Sequence, residues 1–266
     1  QMPLHPIHQL QACIEAPRQT HLLLTLTKLE GHLNGYGTGT TLRYTGPSSL
    51  AVLDPQLPPE VLSPTLEEAK RQLRSQSLSC ILPDGRTLEL FAEVLPPELH
   101  VVLFGQQYDL FPLLKVIKEA GWSATVVAQA TKVHRYVRDT ADALVEPSDT
   151  DQIPIDAHTA FVLMAHDYKT DKQNLQKALS TQVPYIGMLG PRVRAERVFD
   201  ELRQQGVAVG EEEMNRIYAP VGLDIGAHSP EEIALSIAAE IRAAFSGRKG
   251  ASLRLRQTTI HERSQP

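Results

Sequence analysis

The sequence predicts an α/β chain: a mostly parallel sheet flanked by helices, preceded by a smaller α+β unit. Three observations carry that prediction. From His100 onward, short apolar runs alternate with helical stretches, the pattern of repeated βαβ units. Earlier in the chain, "SLSCILPDGRTLELFAEV" has the form of an antiparallel hairpin, with "PDG" between two strand-like runs. The two styles meet near "EVLPPELH". The expected organisation is an α+β unit over 1–96, a parallel α/β unit over 97–246 and a basic tail over 247–266.

In the first unit, Ile7, Leu10 and Ile14 recur at helical spacing and predict a short helix with that stripe buried. Cys13 lies beside the stripe and reads as a small buried hydrophobe. His5 and His8 share a face of the same helix, with no further ligands to complete a zinc site. "HLLLTLT" (21–27) is expected to form a strand, and the glycine-rich "HLNGYGTGTT" (32–41) a turn or irregular loop. "TLRYT" then pairs back. Ser63-Pro64 opens another helix, carrying Leu66, Ala69 and Leu73 at spacings of three and four.

In the second unit the strands are "HVVLFG", "SATVVA", the short and edge-like "ADALVE", "AFVLMAH" and "VPYIGML". Helices are expected from Leu110 to Ala120, in "TDKQNLQKALST" and in "RVRAERVFDELRQQG". This alternation implies a Rossmann-like topology. A last helix begins at "SPEEIALSIAAEI": Ser229 can cap it, Pro230 suits its first turn and Glu232 completes a capping box. Ile233, Ile237 and Ile241 form its apolar face. The tail after Ser246 is basic and lacks an apolar period, so a mobile end or an exposed strand is expected.

Composition narrows the function. The 266 residues are 42% hydrophobic and 21% charged, ordinary for a globular protein with a sizeable core. A formal net charge of -5 argues against a general nucleic-acid binder. No apolar run approaches a membrane span, and no signal peptide opens the sequence. The two cysteines, Cys13 and Cys80, form no CxxC motif, which fits a reducing cytoplasm.

Candidate site residues cluster at the ends of the expected strands, where open α/β sheets bind ligands. Gly105 stands in the first strand-to-helix turn, where a pyrophosphate would approach the backbone. The second glycine position of that fingerprint is Gln107, and the second strand ends "VVAQA" without a carboxylate for a ribose. NAD(P) and FAD are therefore disfavoured. Tyr108 and Asp109 start the following helix, Asp109 as a cap or a ligand. His166 and Asp167 end the strand "AFVLMAH" and project toward the crevice, or serve in turn and packing roles. Asp171 reads as the cap of the helix after it. Gly187 and Gly190 allow close backbone approach to a ligand. Pro191 then starts a helix on which Arg192, and after it Arg194, could grip a phosphate; the alternative is a helix start with solvated arginines. Asp224, in "GLDIG", either faces the crevice or is buried against backbone N–H groups.

The order of "VVLFGQQYDLFPLL", "VLMAHDYKTDKQNLQKAL", "YIGMLGPRVRAER" and "APVGLDIGAHSPEEIALSIAAEI" resembles the C-terminal half of the XdhC/CoxI family, maturation factors of xanthine dehydrogenase, carbon monoxide dehydrogenase and related molybdenum enzymes. The resemblance implies a Rossmann-like domain after an N-terminal domain. It also implies binding of the molybdenum cofactor, a phosphorylated pterin carrying a dithiolene, whose sulfuration or insertion the protein assists as a chaperone more than as a turnover enzyme. The implied partners are a molybdenum hydroxylase of the xanthine dehydrogenase type, a cysteine desulfurase and a second copy of the chain. The first half departs from the family: no Gly-Gly-Cys-x-Glu segment occurs, "PPEVLSPTLEEA" occupies its approximate place, and Cys80 does not align with the second family cysteine. Two rival readings follow, a nucleotide-dependent oxidoreductase on the same fold and a degenerate scaffold that only binds a partner.

Overall fold

The structure, a computed structural model, describes residues 4–29, 32–55, 57 and 59–257. The chain divides into two compact units, one ending at Pro97 and the other beginning at Glu98.

The first unit is an antiparallel sheet with helices. Helix α1 (Pro6–Glu15) precedes β1 (His21–Leu29) and β2 (Thr41–Arg43). Next come α2 (Pro47–Leu50), α3 (Pro59–Arg71), β3 (Gln76–Ile81) and β4 (Thr87–Leu95), giving the sheet order β2-β1-β4-β3. The hairpin β3–β4 closes through Leu82–Arg86, where Gly85 takes a left-handed φ of 87° that a side chain resists. Leu22, Leu24, Leu26, Leu66, Leu88 and Leu90 form the core of this unit.

Two expectations fail here. Helix α1 forms, but Ile7 and Ile14 are 66% and 84% exposed, and its buried residue is Cys13. The stripe therefore points outward: Arg43 donates to the Ala12 carbonyl and Gln9 accepts the Arg43 N–H, fixing the polar side against β2. Helix α3 starts at Pro59 and contains Pro64, while Leu73 lies beyond its end at φ 51°. Pro64 forfeits only a bond to the exposed first turn, so the helix runs through it.

The second unit alternates as expected and adds elements. Its strands are β5 (His100–Phe104), β6 (Ser123–Val127), β7 (Ala143–Val145), β8 (Thr159–Leu163), β9 (Tyr185–Met188) and β10 (Ile217–Tyr218). Between them lie α4 (Leu110–Glu119), α5 (Arg135–Thr140), α6 (Tyr168–Leu179), α7 (Arg192–Gln204) and α8 (Glu211–Met214), and α9 (Pro230–Phe245) follows β10. All the pairings are parallel, in the order β10-β9-β8-β5-β6-β7. Numbered within the unit this is the 6-5-4-1-2-3 order of the dinucleotide-binding fold, and its switch point lies between β5 and β8. Buried Val101, Leu103, Val126 and Val162 face α4 and α9, whereas Val102, Phe104, Phe161 and Leu163 face α6 and α7. That two-sided burial is why these strands read as unbroken apolar runs.

Helix α9 carries the expected capping box, with Ser229 accepting the Glu232 N–H and Glu232 accepting the Ser229 N–H. Ile237 and Ile241 are fully buried and Ile233 partly so. The turn before it is tied down by two of its side chains. Ser236 donates to the Leu223 carbonyl, and Glu240 accepts both the Tyr185 hydroxyl at 2.6 Å and the Gly222 N–H at 2.9 Å. Gly222 has φ 109°, and a Cβ there would sit 2.5 Å from the Ser236 hydroxyl oxygen. Asp224, by contrast, is exposed, so Glu240 does the bracing that a buried Asp224 would have done. In the tail, Leu253–Leu255 forms a 3-10 turn instead of a strand, and residues 258–266 lie outside the described residues.

Candidate functional site

A cavity of about 310 Å³ opens at the carboxyl ends of β5, β6, β7 and β8. Its walls come from the β5–α4 turn (Gly105, Gln106, Gln107), the end of β6 (Ala128, Gln129, Lys132) and the start of α6 (Asp167, Thr170, Asn174). Each wall follows from the fold. The strands end together at the switch point, and the chain must turn there before entering a helix.

The β5–α4 turn is built tightly. A Cβ on Gly105 would lie 2.5 Å from the Met164 carbonyl oxygen, so glycine is required for the approach of the β5 and β8 ends. The backbone N–H groups of Gln106, Gln107, Tyr108 and Asp109 meet no acceptor among the described residues. Leu110 and Phe111 close local turns onto Gln107 and Tyr108, and Pro112, in the helix's first turn, has no N–H to satisfy. The free donors, at the positive end of a ten-residue helix, form a cradle suited to an anion.

At the β8 end, His166 is held at φ 61°, a left-handed conformation costing about 1–3 kcal/mol for such a residue. Its Nε2 lies 2.5 Å from Oδ2 of Asp109. Asp109 is the N-cap of α4 by position but makes no capping bond; its carboxylate is spent on His166, and its other oxygen, Oδ1, is buried with no hydrogen-bond partner among the described residues. Asp167 caps α6 instead, accepting from the Thr170 N–H at 2.8 Å and from the Thr170 hydroxyl. Those Thr170 bonds, from hydroxyl and backbone, hold the Asp167 carboxyl below the usual range. Asp171 is thus not the cap. It is buried one turn into α6, accepts the Ala165 N–H at 3.0 Å and pairs with Arg194 at 2.6 Å. Burial pushes its carboxyl up, against the pull of the Ala165 N–H and Arg194.

Of the residues expected from the sequence, Gly105 and Asp167 line the cavity, and Tyr108, Asp109 and His166 adjoin it along the chain. Tyr108 is 69% exposed. Gly187, Gly190, Arg192, Arg194 and Asp224 are not in the lining. Gly187 is buried in β9, where a Cβ would meet Val221 at 2.5 Å, so its smallness serves packing. Gly190 has φ 124° and turns the chain into α7. Pro191 is the N-cap of α7, not its first helical residue. Arg194 is committed to Asp171, and Arg192 lines a separate surface depression with Glu196, Phe199 and Arg203. Reasoning from sequence missed Gln106, Gln129, Lys132, Thr170 and Asn174. Lys132 was findable, as the first cation after the strand that lacks a carboxylate. No group of three or more candidate metal ligands occurs among the described residues, and no helix there is long and apolar enough to cross a membrane.

The sheet order and the cavity at its switch point define a Rossmann-type domain with a candidate ligand crevice. Residues 101–241 match the family described as the XdhC Rossmann domain, and the chain belongs to that family. It is 29% identical over 160 residues to a probable xanthine dehydrogenase subunit from Bacillus subtilis strain 168, a match covering 59% of this chain and 46% of that protein. It is 41% identical over 81 residues to the uncharacterized protein YqeB of Escherichia coli K12, covering 30% of this chain and 14% of the other. The chain thus spans less than half the length of either relative. Among solved structures, it resembles a xanthine dehydrogenase from Bacillus halodurans with a TM-score of 0.51 at 15% identity, over 92% of this chain and 97% of that one. That likeness concerns the fold.

Proposed function

We propose that this protein is an accessory factor of a xanthine dehydrogenase-type molybdenum hydroxylase, and that its crevice holds the molybdenum cofactor during maturation of that enzyme. The observation that carries the reading is the cavity at the switch point, with its cradle of unpaired N–H groups on one wall and Lys132 on another. The cradle and Lys132 suit the terminal phosphate of the cofactor. Gln106, Gln107, Gln129 and Asn174 offer amide donors and acceptors that suit the edge of a pterin. When bound, the group supplies the molybdenum–dithiolene centre that the hydroxylase requires.

The fit extends to the phosphate and the pterin, not to a protein thiolate. Cys13 and Cys80 are both buried in the first unit, and burial raises both thiols above their ordinary range. Sulfur for any sulfuration step must therefore come from a donor such as a cysteine desulfurase. The strand order also suits a dinucleotide, but Gln129 stands where a ribose carboxylate is needed, which favours the first reading. The test is titration of the purified chain with the phosphorylated pterin. Saturable binding is expected, weakened about tenfold by Lys132→Ala through loss of one charge-assisted contact. Tighter binding of NADP or FAD than of the pterin would favour the oxidoreductase, and binding of neither would leave only the scaffold.

A further inference from the structure

We propose that His166 and Asp109 form a general-base pair at the crevice, in which Asp109 fixes the imidazole so that its Nδ1 can take a proton from a weakly acidic N–H or S–H of the bound ligand. The inference rests on the crevice being a ligand site, and it assigns a chemical role beyond holding the ligand.

Four features converge on it. First, His166 occupies a left-handed backbone conformation at the end of β8, where asparagine or glycine would sit with less strain. Strain of this kind persists where a particular side chain is needed. Second, Asp109 stands at a helix N-cap yet leaves the helix N–H groups alone and turns to the imidazole across the switch point. Third, the Asp109 side chain is 12% exposed and that of His166 is 44% exposed, so the pair is anchored on its carboxylate side and accessible on its ring side. Fourth, both residues are neighbours of the cavity lining: Gln106 and Gln107 precede Asp109, and Ala165 and Asp167 flank His166.

The chemistry follows from which nitrogen is occupied. An ionised carboxylate only accepts, so Nε2 must carry the ring proton. Nδ1 then presents a lone pair, and it has no hydrogen-bond partner among the described residues. In the step, the ligand's X–H bond breaks, the proton goes to Nδ1 and the electron pair stays on X. The resulting imidazolium is stabilised by Asp109 at 2.5 Å, and no oxidant or reductant is consumed. Asp109 acts through His166 and is a positioning residue.

The test uses the full chain and diethyl pyrocarbonate, which acylates an unprotonated imidazole nitrogen. At alkaline pH, where imidazoles are uncharged and only their nucleophilicity is compared, His166 should be modified faster than the exposed His8 and His228, and Asp109→Asn should slow it to their rate. Cofactor bound in the crevice should protect it. A His166 no more reactive than those two, a rate indifferent to Asp109→Asn, or an unprotected His166 in the loaded protein would each overturn the proposal. Should the Asp109 variant fail to fold, imidazole nitrogen NMR of the wild-type chain decides: the proton on Nε2 with a bare Nδ1 is expected, and a proton on Nδ1 refutes the pair. Reactivity and tautomer are read on the free chain, so failure to retain the pterin would sink the proposed function while leaving these two results standing.

Discussion

Gly105→Ala is expected to lower stability by about 2 kcal/mol and to abolish high-affinity ligand binding. The added Cβ would meet the Met164 carbonyl oxygen at 2.5 Å, its carbonyl carbon at 3.0 Å and its Cγ at 3.1 Å. Backbone atoms cannot rotate away, so the ends of β5 and β8 must move apart at the switch point. Two effects then follow from one methyl group. The parallel pairing of Phe104 with Leu163 loosens, and the Gln106–Asp109 cradle moves relative to Asp167 and Thr170 across the cavity. Denaturant unfolding reads the first effect and pterin titration the second. Gly187→Ala is the control: it clashes with Val221 side-chain atoms in the sheet, outside the cavity lining, and should reduce stability while sparing affinity.

Asp171→Ala should cost about 3 kcal/mol, the consequence of removing one partner of a buried pair. It leaves Arg194 without its carboxylate and the Ala165 N–H without an acceptor, directly before the strained His166. Asp171→Asn keeps an oxygen for Ala165 and should cost less. The pH dependence separates the two contributions. Because burial holds the Asp171 carboxyl above its unfolded value, the folded state keeps this proton over a window where the unfolded chain has lost it. Stability from this group therefore falls as pH rises from the ordinary carboxylate value through the raised one. The gap between wild type and Asp171→Asn should narrow over that window, as followed by unfolding at a series of pH values. A gap that widens with pH would mean that the Arg194 pairing outweighs burial.

Much of the fold was legible because β5, β6 and β8 are buried on both faces and must be apolar throughout, a signal that composition carries directly. The capping box at Ser229 was legible because it depends on residues three apart. What escaped depends on distance across the fold. The outward face of α1 is decided by Gln9 and Ala12 meeting Arg43, more than thirty positions away. Asp109 looked like a cap because its sequence neighbours are a helix start; only the return of β8 beside β5 brings His166 to it. Asp171 and Arg194 read as a local cap and a phosphate grip, and became one ion pair when α6 and α7 packed together. Glu240 gave no local sign of its link to Tyr185 and Gly222, since that link exists only after α9 docks.

Whether the crevice holds the molybdenum cofactor is decided by anaerobic purification of the chain from a molybdate-replete host, with molybdenum and oxidised-pterin fluorescence measured on the same sample. Molybdenum and pterin in equal amounts, both lost on Gly105→Ala, is the expected outcome. A well-folded chain that carries neither, and takes up neither when supplied with the cofactor, would refute the assignment.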